Sequence, residues 1–271
     1  MRAFAWLIPV VGLLSLGCGS NPETGRKTKS IATEETTAFP KAESPAVSDP
    51  ASRDIAAKII AAHTGNDPAM LAKMKSMTFG RVGKHLETQS PFSFRISAVW
   101  PDRARYVWSG LEAIPFTIRL VENQAFRDDT TPARTLAVPE KLFDGFFRHL
   151  YSDWLQLLVP LGEVDTIVAP GPDHQQLEKK YPSIRVWRTG KPQAMIYYDP
   201  TTFRMVRLAF DGLENMIPTY IELVFSDYQP TSGFLLAHHV FIRMNGREVM
   251  EFDQATLEFP KDHALKLFTE P

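Results

Sequence analysis

The feature that most constrains the fold is a repeated alternation of apolar and polar side chains between residues 92 and 259. Apolar side chains occupy every second position from Phe92 to Trp100, and the same pattern returns from Arg103 to Gly110 after a Pro-Asp turn. A period of two is typical of strands with one buried and one wetted face. Because both segments carry aromatic side chains on one face, the sequence predicts the start of a curved antiparallel sheet.

Further strands are predicted along the rest of the chain. They cover residues 116–126, 164–168, 184–188, 194–198, 203–210, 220–228, 235–244 and 248–259. Asn245-Gly246 separates the last two, and both residues accept the positive φ of a type I′ turn. The second half is therefore predicted to be a β-meander.

Three helices are predicted to accompany the sheet. Asp54 can cap a first helix that ends at Gly65, and Pro68 suits the first position of a short second helix. The longest helical pattern runs from Pro139 to Leu161, with apolar side chains at spacings of three and four. Its polar positions are expected to face water; they include Lys141, Asp144, Arg148, Ser152, Asp153 and Gln156.

Cys18, the only cysteine among 271 residues, follows a charged Arg2 and an apolar segment from Ala3 to Leu14. These are the parts of a secretory signal, and the segment is shorter than the roughly 20 apolar residues that cross a bilayer. The site resembles a bacterial lipobox, although Ser15 stands where an aliphatic residue is usual. We expect residues 1–17 to be a lipoprotein signal peptide and Cys18 to be the lipidation site. An ordinary cleaved signal and an uncleaved anchor are the alternatives.

Residues 18–53 are predicted to be the acylated cysteine and a disordered tether. The segment is rich in Ser, Thr, Glu, Lys and Pro, so it buries too little apolar surface to offset its ordering entropy. Several acyl chains would hold the protein on a membrane stably. We expect a lipid-anchored protein of the cell envelope. Gly19, in place of Asp after the cysteine, favours the outer membrane, facing the periplasm, in a cell of the Gram-negative type.

Composition and motifs argue against several functions. A formal net charge of −1 disfavours a nucleic-acid partner, since phosphate binding needs a basic face. The sequence lacks a Gly-x-Ser-x-Gly elbow, a His-Glu-x-x-His pair and a phosphate-binding glycine loop. His238-His239 lies within a predicted strand, so its imidazoles point to opposite faces, and Asp128-Asp129 is read as a solvated loop. We expect no enzymatic activity, no cofactor and no metal site.

Several short strings, in this order, resemble the outer-membrane lipoprotein-sorting (LolA/LolB-like) superfamily over residues 54–271. The strings are Pro101-Asp102-Arg103-x-Arg105, Asp199 to Thr202, Ser226 to Tyr228 followed by Gly233, and Phe268 to Pro271. The resemblance implies an α+β, mainly β fold: a single curved antiparallel half-barrel covered by N-terminal helices and an internal helical insert. It also implies that lipid or lipoprotein acyl chains are the partners and that the role is in lipoprotein sorting.

A curved sheet closed by helices either fills its interior with its own side chains or keeps a hollow for an apolar guest. The predicted ligand-binding residues of such an apolar groove are Phe92, Phe94, Trp100, Tyr106, Trp108, Phe116, Phe143, Phe147 and Trp154. With a filled interior, the same fold would serve as a sensor or protein-interaction module with a protein partner in the envelope. Two further alternatives are a membrane-surface role for the insert and lipid headgroup contacts by Arg103 and Arg105. We expect a monomer.

Overall fold

The computed structural model describes residues 38–110, 116–122, 124–130, 133–176, 178–214, 216–261 and 263–270. The predicted signal peptide, Cys18 and the first part of the predicted tether lie outside these ranges. The strands are β1 (Ser76–His85), β2 (Pro91–Val99), β3 (Arg103–Ser109), β4 (Phe116–Val121), β5 (Gln124–Thr130), β6 (Ala133–Ala137), β7 (Ile167–Pro170), β8 (His174–Gln176), β9 (Lys179–Tyr181), β10 (Ser183–Trp187), β11 (Ala194–Tyr198), β12 (Met205–Glu214), β13 (Ile217–Thr231), β14 (Phe234–Met244) and β15 (Arg247–Glu258). The helices are α1 (Pro50–Thr64), α2 (Met70–Met74), α3 (Glu140–Gln156) and α4 (Lys266–Thr269), and a 3₁₀ turn covers Val159–Gly162.

Within the described ranges, thirteen strands form one antiparallel sheet in the order β6-β5-β4-β3-β2-β1-β15-β14-β13-β12-β11-β10-β7. The first and last long strands meet in the middle, where Phe79 is paired with Leu257. The strands at the two edges, β6 and β7, flank α3 in the sequence, so the chain crosses the sheet through this helix. The sheet is curved and does not close, which confirms the predicted half-barrel covered by helices.

Helix α1 begins earlier than the sequence predicts. Its N-cap is Asp49, whose carboxylate accepts a hydrogen bond from the Ser52 amide at 2.7 Å, and Pro50 occupies the first helical position. Both residues favour a helix start, so the helix begins four residues before Asp54. It ends at Gly65 as predicted, in the left-handed region with φ 62°.

Helix α3 ends before the predicted limit at Leu161. Leu158 adopts a φ of 61°, and the chain continues as the 3₁₀ turn that contains Pro160. Because a proline lacks an N–H and disfavours the α region in the residue before it, the helix cannot run on through this position. None of the residues of α3 from Leu150 onward is exposed, so Ser152, Asp153 and Gln156 are buried, contrary to the expectation that they face water.

The predicted strand over residues 116–126 is in fact a hairpin. The chain turns after Val121, where Glu122 has a φ of 54°, and β5 returns alongside β4. A second hairpin adds β6 where a polar loop is predicted. Asp128 is therefore buried and accepts two hydrogen bonds from Arg119 at 2.6 and 2.9 Å, which explains why an acidic pair lies in a strand.

The convex face of the sheet is covered by segments from both ends of the described chain. Residues 38–42, which the sequence assigns to the tether, lie across β10 to β13, with Phe39 buried among Met195, Tyr197, Ala209 and Tyr220. The Ala42 amide donates to Gln193 Oε1 at 3.0 Å, and Lys41 Nζ lies 2.7 Å from Asp211 Oδ2. We call residues 38–42 the N-terminal strap.

At the other end, α4 lies over β3 and β4. Phe268 has no exposed surface, and its carbonyl accepts a hydrogen bond from Arg119 Nη1 at 3.1 Å. Arg105, considered above as a headgroup ligand, donates to the Leu267 carbonyl at 3.3 Å instead. In the part of the chain that the structure describes, no helix has the length and apolar character needed to cross a membrane.

Candidate functional site

A cavity of about 140 Å³ lies between the concave face of the sheet and α3. The sheet contributes its wall from strands on both sides of the β1–β15 junction, and the helix contributes the cover. Most lining atoms are apolar. The lining residues are Arg81, Phe92, Phe94, Tyr106, Trp108, Leu142, Gly145, Phe146, His149, Ser152, Asp153, Phe210, Leu213, Glu214, Met216, Ile221, Leu223, Ile242, Met244, Met250 and Phe252.

Four of the nine predicted groove residues line this cavity. Phe92, Phe94, Tyr106 and Trp108 project from β2 and β3, and the Phe94 and Trp108 rings stack with centroids 4.6 Å apart. The Tyr106 and Trp108 rings are also stacked, at 6.4 Å. Strand alternation puts all four side chains on one face, and the pairing of β2 with β3 brings them together.

The other five predicted groove residues do not line the cavity. Trp154 has no exposed surface and contacts Trp100 edge to face at 5.6 Å, so this pair packs beneath the second half of α3. Phe116 stacks on Trp108 at 6.4 Å from the next strand. Phe143 and Phe147 are partly buried and pack against the core beside the cavity.

One of the positions of α3 that line the cavity has no side chain. Gly145 lies on the cavity wall, and a Cβ placed there would meet Leu213 at 3.9 Å, which is ordinary van der Waals contact. A glycine inside a helix costs about 1 kcal/mol relative to alanine. Gly145 therefore leaves open space under α3 and lowers the stability of the helix.

The floor of the cavity is polar. Arg81 from β1 donates a hydrogen bond to Gln156 Oε1 at 2.8 Å, and its Nη2 lies 3.5 Å from Asp153 Oδ1. Asp153 accepts hydrogen bonds from the Tyr106 hydroxyl at 2.9 Å and from Gln156 Nε2 at 3.2 Å. These four side chains, which we call the floor network, join the second half of α3 to β1 and β3.

Aromatic rings surround the Arg81 guanidinium. Its central carbon lies 4.4, 5.2 and 4.5 Å from the ring centroids of Phe79, Phe94 and Phe252. Burial lowers the pKa of Arg81 to about 10, against the opposing influence of Asp153, so the side chain stays cationic at neutral pH. Burial raises the pKa of Asp153, and Arg81 opposes that shift.

His149 and Ser152 complete the polar part of the wall. Burial lowers the pKa of His149 to about 4, so its imidazole is neutral at physiological pH, and it contacts the Phe210 ring edge to face at 6.2 Å. The Ser152 hydroxyl donates to the His149 backbone carbonyl at 2.7 Å. A serine and a histidine on one helix therefore share the cavity without forming a nucleophile–base pair.

The mouth of the cavity is an apolar hairpin tip. Four residue pairs of β12 and β13, from Asp211↔Tyr220 to Glu214↔Ile217, lie beyond the end of β14, whose last residue Met244 is paired with Ile221. At the tip, Met216 is 50% exposed and Ile217 is 66% exposed. Because Met216 also lines the cavity, the apolar surface continues from the interior to the solvent.

Of the floor network, only Tyr106 was predicted from the sequence to lie in the groove. An arginine in a strand usually lies on the wetted face, and Asp153 lies among the polar positions of an amphipathic helix. One signal was present: Arg81 shares the strand parity of Met77 and Phe79, both of which face the core. That parity places a charge among buried positions, where it requires a buried partner.

Two further pairs of polar residues have structural roles. His239 Nδ1 lies 2.9 Å from Asp253 Oδ1, and His238 Nε2 lies 2.7 Å from Thr231 Oγ1, so the two imidazoles have separate partners. Among the residues that the structure describes, no three His, Cys, Asp or Glu side chains are grouped so that they could hold a metal ion.

A curved antiparallel sheet that does not close, with helices over its concave face, defines the structural class of this protein. The same fold is found in a LolA superfamily protein from Nitrosomonas europaea, which matches 81% of this chain and 97% of its own length at 10% identity, with a TM-score of 0.53. A domain from Vibrio parahaemolyticus, described as that of an outer membrane lipoprotein-sorting protein, matches 81% of this chain and 97% of its own length at 13% identity, with a TM-score of 0.50.

A DUF1329 family protein from Desulfovibrio piger is also similar, over 80% of this chain and 95% of its own length, at 11% identity and a TM-score of 0.53. No family model matches the sequence, and no curated protein matches it significantly. At these identities the likeness concerns the fold. It confirms the resemblance to the LolA/LolB-like fold that the sequence strings indicate.

Proposed function

We propose that this chain is a lipid-anchored envelope protein that binds an acyl chain of a lipid or lipoprotein in the cavity beneath α3. The observation that carries the proposal is an aromatic, mostly apolar cavity that opens through an apolar tip in a fold shared with lipoprotein-sorting proteins. Burial of acyl methylenes contributes about 0.8 kcal/mol each, which is sufficient to drive binding.

The size of the cavity determines how much of a guest it encloses. An apolar cavity of about 150 Å³ in another protein holds one benzene molecule. The cavity of about 140 Å³ here thus encloses only the first few carbons of an acyl chain. The remaining carbons leave through the mouth past Met216 and Ile217, whose exposed apolar side chains favour this path.

A binding function fits the polar residues of the cavity better than catalysis does. The Ser152 hydroxyl is directed to a backbone carbonyl, and Asp153 is held by Tyr106 and Gln156. Neither residue is placed to activate the other or a bound water. We therefore propose a carrier or receptor without enzymatic activity, acting in the handling of envelope lipoproteins.

Acyl binding is tested on the full-length chain that carries Cys18→Ala, which cannot be acylated. Native mass spectrometry and displacement of a fluorescent fatty acid should show one bound chain per protein. Gly145→Leu should abolish uptake because the new side chain fills the cavity. Asp144→Leu is the matched control, since that side chain is 57% exposed on the adjacent helical position. Equal uptake by both variants would contradict the proposed site.

The anchor is tested separately. The chain with Cys18 in place should carry diacylglycerol on that residue and fractionate with the outer membrane, and Cys18→Ala should release the protein to the soluble fraction. A mature protein whose amino-terminal peptide lacks an acyl mass would remove the anchor from the proposal without affecting the cavity.

A further inference from the structure

The charges in the floor of the cavity are unexpected for a site that binds only hydrocarbon. Arg81 is 4% exposed and Asp153 is 6% exposed, yet both line the cavity. Taking two ions out of water costs several kcal/mol per ion, and replacing such a pair by apolar side chains is often neutral or stabilising. A cavity for methylenes alone would thus be at least as stable without the pair. The charged floor points to a polar group on the guest.

We propose that the cavity selects single-chain amphiphiles with a carboxylate head, of the long-chain fatty acid class, and that the head binds Arg81 while the chain runs along Phe94 and Trp108 to the mouth. This inference rests on the proposed function, since it requires an acyl chain in the cavity. It adds the class of ligand and the direction in which the ligand lies.

The geometry around Arg81 favours recognition of a carboxylate. A guanidinium presents five N–H donors in a planar fork that matches a carboxylate, and three rings hold this one in place. In a site of low polarity each charge-assisted hydrogen bond is stronger than in water. The guest head would therefore meet an oriented cation and not a mobile one.

Asp153 contacts Arg81 at the position where the carboxylate head of the guest would bind. Its Oδ1 is 3.5 Å from Arg81 Nη2, longer than the 2.7–2.9 Å typical of a charge-assisted hydrogen bond. Its shorter contact, at 2.9 Å, is with Tyr106. Because Asp153 has partners besides Arg81, it can yield part of the guanidinium to a second carboxylate and remain hydrogen-bonded.

The charged floor and the size of the cavity also determine which lipids are excluded. Acyl chains that are esterified to glycerol have no charge at the carbonyl end and a bulky head beyond it. A cavity of about 140 Å³ admits a carboxylate with its first methylenes, but not a glycerol backbone with two chains. Free fatty acids should therefore bind head first, whereas esterified lipids can insert only a chain end.

The test compares palmitate with methyl palmitate, which has the same chain but an uncharged head enlarged by one methyl group, on the full-length Cys18→Ala chain by displacement titration. Palmitate should bind at least tenfold more tightly, since a hydrogen bond to a charged group contributes about 1.5–3 kcal/mol. Arg81→Met should weaken palmitate binding until its affinity equals that of methyl palmitate. Asp153→Asn, which removes the internal competitor and retains the shape, should tighten palmitate binding severalfold and leave the ester unchanged.

The outcomes distinguish recognition of the carboxylate head from binding of the acyl chain. If acid and ester bind equally in the parent protein, the head recognition is wrong and acyl binding stands. If neither binds, the proposed function fails, and this inference fails with it. If Arg81→Met does not fold, Asp153→Asn still decides: unchanged or weaker binding of palmitate would show that the pair only stabilises the fold. Thermal unfolding with and without palmitate verifies that each variant is folded.

Discussion

The two faces of the sheet are built from the same alternating strands, but one face is covered by terminal segments where the other keeps a cavity. On the convex face, the N-terminal strap and α4 cover the strands, and Phe39 and Phe268 are buried side chains of these terminal segments. On the concave face, α3 lies over the strands but leaves a cavity of about 140 Å³. The difference comes from the covering elements, since strand alternation supplies apolar side chains to both.

The buried charges of the two faces differ in the same way. On the convex face Arg207 Nη1 lies 2.7 Å from Glu222 Oε1, which also accepts a hydrogen bond from the Tyr220 hydroxyl. On the concave face the closest approach of Arg81 Nη2 to Asp153 is 3.5 Å. The two charges of the convex pair are thus in direct hydrogen-bonding contact, whereas those of the concave pair lie further apart, and Asp153 is hydrogen-bonded to Tyr106 and Gln156.

The largest expected effect separates these two ion pairs. Glu222→Gln should lower the free energy of unfolding by about 3–5 kcal/mol, because Arg207 would remain buried without a counter-charge. Asp153→Asn should cost less, since the concave contact is longer and burial already raises the pKa of Asp153. Urea denaturation of both variants measures the difference. An equal or greater loss for Asp153→Asn would show that the two pairs are equivalent.

Acid should weaken the protein through its buried histidines. Burial lowers the pKa of His63 to about 4, and the imidazole accepts a hydrogen bond from the Met205 amide at 3.1 Å, which requires the neutral form. Between about pH 6.5 and 4 the unfolded chain binds a proton that the native protein does not. Native stability should thus fall by up to about 3 kcal/mol for this group as the pH drops through that window, and the loss is absent above pH 6.5.

The two faces should differ in this acid response. His174, on the convex side near Tyr197, also has its pKa lowered to about 4, mainly by burial, but it is only half-buried. His63→Gln should therefore flatten the dependence of unfolding free energy on pH more than His174→Gln does. Denaturant titrations at pH 7 and pH 4.5 provide the comparison, and a larger flattening by His174→Gln would reverse the expected order.

The strap should stabilise the convex face without affecting the cavity. Phe39→Ala is expected to lower the free energy of unfolding by about 2 kcal/mol, the usual contribution of a buried aromatic side chain. Proteolysis should then cut within residues 38–49, where the strap is released. Fatty acid uptake should be unchanged, and a parallel loss of uptake would mean that the two faces are coupled.

The smallest effect has the opposite sign. Gly145→Ala should raise the free energy of unfolding by about 0.5–1 kcal/mol, because alanine favours the helix and its methyl group has room beside Leu213. The same methyl group narrows the cavity, so fatty acid affinity should decrease slightly. Thermal unfolding and displacement titration report the two changes. A loss of both stability and uptake would indicate that the methyl group displaces α3.

Much of the sheet could be predicted because alternation is a local property. The strands from Phe92 to Val99 and from Arg103 to Ser109 fall where the pattern puts them, and so does the hairpin at Asn245-Gly246. The hairpin after Val121 was missed because Glu122 supplies its positive φ, and Asn123 by itself is a weaker turn signal than Asn-Gly. The burial of Asp128 was missed for a related reason, because it depends on the contact with Arg119 of the neighbouring strand.

Only part of the candidate site could be predicted from the sequence. The aromatic wall follows from strand parity, which is why Phe94 and Trp108 were identified. The cover was not, since which side of α3 faces the sheet depends on long-range packing, and Trp154 fell outside the cavity for that reason. The Arg81–Asp153 contact joins residues far apart in sequence, and no local pattern encodes it.

The N-terminal strap limits how far the domain could lie from an anchor at Cys18. Phe39 is buried on the convex face, so the described part of the domain begins before residue 53, the end of the predicted tether. The twenty residues Gly19 to Ala38 can reach at most about 70 Å when fully extended. If Cys18 carries the anchor and the cavity binds acyl chains as proposed, the domain can reach only ligands that lie within that distance of the bilayer.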